Sequence, residues 1–178
     1  MAAVFAGLLM SMTMVPAAVM AAPDPAKGPA GAGVSMHVDC SSVPDTKEAR
    51  AATRRYHICE QSSGGIAPMG TVSNNCGELS LNVSNRGGGL MQWTTRITSR
   101  LGPFTSGSYS GTWSNATLFR QGPVNHSRFG FTSDWVDSFA IGTGAGSVFG
   151  VLSFAAIQLW WGPFCISSLP VDSHTIVT

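Results

Sequence analysis

The chain has 178 residues, 44% of them apolar, with 10 Lys+Arg against 9 Asp+Glu and a mean hydropathy of +0.17. That apolar content excludes an intrinsically disordered chain. A net charge of +1 gives no long-range field to steer nucleic acid or to hold an acidic membrane surface.

Residues 4–15 form an apolar run too short to span a bilayer, followed by Pro16 and the small-residue stretch Ala17–Ala22. This is the layout of a cleavable secretory signal over residues 1–22, although no basic residue precedes the run. The structural alternative is a buried N-terminal helix. No Cys follows closely enough for lipid attachment, so the expected product is secreted, extracellular or held in the cell envelope, with about 156 residues after cleavage. That length predicts one domain plus tails. Residues 23–33, rich in Pro, Gly and Ala, read as a flexible leader with order starting near Val34.

Residues 34–75 read as a short, disulfide-tethered N-terminal segment. Within it, Pro44–Tyr56 is the one stretch rich in helix formers, with Asp45 or Thr46 as N-cap. Its basic residues Lys47, Arg50, Arg54 and Arg55 suit a solvated helix better than a docking surface. Cys40, Cys59, Cys76 and Cys165 make an even set in an exported chain, which predicts two disulfides. Three pairings are open. We favour Cys40–Cys59 with Cys76–Cys165, the second closing a long loop worth about 4 kcal/mol in the chain-entropy model. A zinc site would want close Cys pairs, and the nearest two lie 17 positions apart, so no metal is expected.

From Cys76 the apolar period becomes two, and residues 76–178 read as the main domain. Glu78–Val83 and Met91–Ile97 alternate apolar with polar residues, with Asn85–Gly89 as a hairpin turn. Shorter strands are predicted over Ser108–Trp113, Thr117–Arg120, Arg128–Thr132, Ser138–Ile141 and Val148–Trp160. Gly-Pro pairs at 102, 122 and 162 read as strand ends. The predicted class is all-β: an antiparallel β-sandwich, immunoglobulin-like or similar, with a short helical or irregular N-terminal segment.

Residues 138–171 lack any Asp, Glu, Lys or Arg, and 148–164 is apolar enough to raise a transmembrane anchor. Gly150, Gln158, Gly162 and Pro163 weaken that reading, and no basic residue after Arg128 would fix an orientation. Buried strands are preferred, with Gly142–Gly146 as the preceding turn. That glycine run also suggests part of a dinucleotide-binding turn, but no alternating strand-helix pattern or ribose-binding acid accompanies it, so no cofactor is expected.

His37, His57, His126 and His174 form no metal or nucleophile motif, and Gly107–Gly111 has Tyr109 where a nucleophile elbow needs Ser. Asp134 and Asp137 flank Trp135 and read as an exposed turn rather than a glycosidase pair. Tyr109, Trp113 and Trp135 are the candidate binding residues, because they lie among Ser, Thr and Asp. Trp93 reads as core. Asn82, Asn115 and Asn125 sit in glycosylation sequons. The expectation is a non-catalytic binding or structural module with a carbohydrate, peptide or protein ligand at the cell surface, or one that self-associates. Nucleic acid is not expected as a partner, nor is a membrane. The alternatives are a secreted hydrolase with an unrecognised site and a single-pass anchored protein.

Overall fold

The computed structural model describes residues 32–59, 75–167 and 170–178. The predicted signal over 1–22 and nearly all of the leader over 23–33 lie outside the described residues. The elements in chain order are β1 (Ala32–Val38), a 3-10 turn (Cys40–Ser42), α1 (Lys47–Tyr56), β2 (Asn75–Gly87), β3 (Leu90–Ser99), β4 (Phe104–Asn115), β5 (Arg120–Thr132), β6 (Asp134–Gly142), β7 (Gly146–Leu159), β8 (Phe164–Ser167) and β9 (Val171–Val177). All strand pairs are antiparallel, so the all-β reading holds.

The strands follow the order β5-β4-β7-β8-β1-β2-β3-β6 in one nearly closed sheet. Long β7 pairs with β4 along one edge, and with β8 and then β9 along the other. The sheet therefore folds into two layers, with β1-β2-β3-β6 facing β5-β4-β7. Leu79, Leu81 and Val83 of β2, Met91, Trp93 and Ile97 of β3, and Leu152, Ile157 and Leu159 of β7 fill the space between. The period of two that marked β2 and β3 is visible over residues 78–83 and 90–97, where each buried residue is followed by a more exposed one. β7 reads as apolar without period because Phe149, Val151 and Phe154 occupy its outer face as well as Leu152 and Ile157 its inner one.

Sheet order begins at Ala32, two residues before the expected Val34, because β1 inserts between β2 and β8. Helix α1 is capped by Thr46, whose Oγ1 accepts from the Ala49 N–H at 3.1 Å, and it ends at His57 in the left-handed region. The helix buries only Ala49 and Ala52, beside Ile58, so its cations face solvent. Cys40 pairs with Cys59 and Cys76 with Cys165, the favoured connectivity. The second bridge ties β2 to β8.

Two local expectations fail. Residues 117–119 of the expected strand Thr117–Arg120 belong to the turn between β4 and β5, because Asn115 Oδ1 accepts from the N–H groups of Thr117 and Leu118 and curls the chain, and Arg120 alone is in strand, as the first residue of β5. Gly122-Pro123 lies inside β5, where an edge strand tolerates the missing donor; the other two Gly-Pro pairs do mark strand ends. Residues 148–164 form β7, a turn and the start of β8. No helix of the described residues is long and apolar enough to cross a membrane.

Candidate functional site

The three aromatics singled out in the sequence all lie on the inner faces of their strands. Tyr109 and Trp135 are buried, and their rings meet at 5.4 Å. Trp113 is half-buried across from Gly122. None offers an open face for stacking. The hydroxyl-rich surroundings that suggested binding are alternate residues of the same strands, and alternation sends them to the opposite face.

That opposite face has a chemistry of its own. Ser108, Ser110, Thr112 and Ser114 form a column along the outer side of β4, and none of these hydroxyls hydrogen-bonds within the described residues. Register places Asn125 and Ser127 of β5 beside Ser110 and Ser108, and Phe154 of β7 on the other side of Ser110. Together they border a shallow depression of about 300 Å³. Tyr109 and His126 also border it, but with their rings turned inward they offer it backbone. Phe149 continues the aromatic edge along β7 and stacks on His174 of β9, with centroids 5.8 Å apart. The part of this face around the column carries no charged side chain short of Asp172 on β9.

A larger depression of about 450 Å³ lies outside β1, β2 and β3, among Ser35, Glu78, Ser80, Arg96 and Thr98. Its charges are already committed. Arg96 is held bidentately by Asp134, with contacts of 3.0 and 2.7 Å, and Glu78 pairs with Arg100. The Arg96 guanidinium holds the Asp134 carboxyl below the usual range through its hydrogen bond. With its ions paired to each other, this site has less to offer a ligand than the β4 face.

The inner side of the β5-β6 seam holds a polar cluster that single residues in sequence did not reveal. Here β5 and β6, the ends of the strand order, share no backbone ladder. His126 lies between the rings of Tyr109, at 5.5 Å, and Phe139, at 4.3 Å, nearly parallel to both. Its Nδ1 approaches Asp137 Oδ2 at 2.7 Å, and the same oxygen accepts the Tyr109 hydroxyl at 2.6 Å. Burial, and then Asp137, push the Tyr109 hydroxyl far above its ordinary pKa. Asp134 and Asp137 are thus not a pair on one exposed turn. They point to opposite faces of β6, one to Arg96 and one into the seam.

Of the three sequons, Asn82 and Asn125 are exposed on strands. Asn115 is buried, and its Nδ2 donates to the carbonyls of Thr143, Gly144 and Ala145, which removes it as an acceptor site. Among the described residues no group of His, Cys, Asp and Glu could hold a metal. No family model, curated protein or solved structure matches this chain.

Proposed function

We propose that this protein is an exported, non-catalytic binding module whose outer β4-β5-β7 face takes a neutral, hydroxyl-rich ligand of the polysaccharide class. The carrying observation is the column Ser108, Ser110, Thr112 and Ser114, with hydroxyls uncommitted among the described residues and Phe154 alongside. Hydroxyls and side-chain amides exchange hydrogen bonds with sugar hydroxyls, and an aromatic face covers the apolar side of a sugar ring. Among the described residues Asp172 is the one charged side chain on this part of the face, which disfavours an anionic ligand. Two disulfides suit an oxidising exterior where such polymers are met.

Titration of the protein with a panel of soluble neutral and anionic polysaccharides tests this reading. Binding to a neutral member is expected, weakened about tenfold by Phe154→Ala and similarly by Asn125→Leu, at unchanged melting temperature. Failure to bind any neutral member, or binding indifferent to both substitutions, overturns it.

The His126–Asp137 contact favours a second reading, a hydrolase in which Asp137 orients the imidazole as base. No nucleophilic hydroxyl or thiol contacts His126 among the described residues, so water would have to be the nucleophile. Loss of glycan or ester turnover in His126→Gln, with glycan binding intact, would establish that reading in place of the first.

A further inference from the structure

One pole of the molecule is assembled from the β2-β3 turn, the β4-β5 turn, the β6-β7 loop and the end of β9. Backbone and side-chain bonds join them. Gly89 N–H donates to Thr178 O at 3.0 Å, the N–H groups of Thr143 and Gly144 donate to Gly89 O at 3.1 and 2.9 Å, and Asn115 clamps the β6-β7 loop. The pole is braced, yet it holds apolar side chains in water. Phe119 is 95% exposed, Ile176 65%, Leu118 45% and Leu90 38%.

Phe119 carries two costs at once. Its ring is almost wholly hydrated, and its backbone sits at φ 53°, a left-handed conformation that a bulky residue rarely adopts. Residues 84–92, 114–121, 140–149 and 173–178 contain two cations, Arg86 and Arg120, and no Asp or Glu. Arg86 donates only to Gln92, and Arg120 has no ion-pair partner among the described residues. The molecule as a whole is nearly neutral, but this end is locally basic and apolar.

We infer that this pole docks on an anionic lipid surface, with Phe119 and Leu118 entering the interface and Arg86 and Arg120 meeting the headgroups. Separate projecting tips with flanking cations and no acids match that environment, in which apolar side chains leave water while guanidinium groups stay at headgroup level. A pocketed protein partner would be met better by a flat or concave patch with polar groups at its rim. The arrangement departs from the expectation drawn from net charge, because attraction to a surface within a Debye length follows local charge rather than the total. It meets the polysaccharide face at Ser114 and Phe149 but rests on different side chains, Leu118, Phe119, Arg86 and Arg120.

Co-sedimentation of the exported protein with phosphatidylcholine vesicles, with and without phosphatidylglycerol, tests it. Binding is expected to the anionic vesicles, falling with added salt. Arg86→Gln with Arg120→Gln is expected to weaken it roughly thirtyfold, and Phe119→Ser about tenfold or more. These side chains are exposed, and an unchanged melting temperature shows that the variants fold. A Phe119→Trp variant is expected to shift its emission to the blue on anionic vesicles alone. The inference is overturned if the protein ignores anionic vesicles at low salt or if both variants bind as wild type. It is also overturned if Phe119→Ser abolishes a concentration-dependent dimer, because a second copy would then cover the pole.

Discussion

Trp93 and Trp161 are both buried tryptophans, but their indole nitrogens have different surroundings. Trp93 Nε1 donates to Thr95 Oγ1 at 2.8 Å inside the core, whereas Trp161 Nε1 is buried without a partner among the described residues. A buried donor left unsatisfied costs stability, and removing it with little change of shape recovers part of that cost. Trp161→Phe is therefore expected to be neutral or stabilising, while Trp93→Phe loses about 1–2 kcal/mol in denaturant unfolding. Single residues were also where the sequence was least informative about function. Tyr109, Trp113 and Trp135 were picked for polar neighbours that alternation places on the other side of the sheet. His126 gave no local sign because its partners, Tyr109, Asp137 and Phe139, come from two other strands. Phe154 was masked by its position in an apolar run.

Among the elements, the strands with one wet face were legible, and so were α1 with its Thr46 cap and the turn at Asn85–Gly89. Each is fixed by residues close in sequence. The β4-β5 turn was misread as a strand because its geometry depends on one side chain, Asn115, reaching both forward along the chain and across to the β6-β7 loop. The layers of the sandwich approach closely where β7 presents Gly150 to β3. A Cβ built there would stand 2.7 Å from Trp93 Cζ3 and 2.9 Å from Val83 Cγ1. Both neighbours are fully buried and have nowhere to withdraw. Gly150→Ala is expected to destabilise by about 1–3 kcal/mol through overpacking, seen as a lower denaturation midpoint at constant slope.

At the level of the whole molecule, the class could be read from composition and period, whereas the cysteines left three pairings open, of which the favoured one formed. The strand order could not be read, since β7 meets β4, β8 and β9 through pairings that no local pattern encodes. Closure of the sheet at its last junction rests on the side chains of Tyr109, His126, Asp137 and Phe139, and this sets its response to alkali. Burial and Asp137 raise the Tyr109 pKa above its unfolded value. The neutral phenol therefore supports the fold fully below the ordinary tyrosine range, and that support is lost as pH climbs from there toward the raised value. Unfolding midpoints measured across the alkaline range are expected to fall, with phenolate absorbance from Tyr109 appearing only as the protein opens. Tyr109→Phe is expected to flatten that decline while lowering stability near neutrality. A wild-type midpoint that does not change through the alkaline range would contradict this account.

The same junction bears on how the protein avoids clumping. A sheet that does not close completely leaves two strands with unpaired peptide groups, and such edges can recruit strands from other molecules into open-ended assemblies. Here the two edges, β5 and β6, follow one another in the chain and are tied at His126, which stacks on Phe139 and meets Asp137, while much of β5, Phe129 and Phe131 included, stays exposed. Pro123 further interrupts β5 as a template. The His126 tie and Pro123 therefore blunt β5 as a template over only part of its length, and the segment with Phe129 and Phe131 is where a second chain would add if one did.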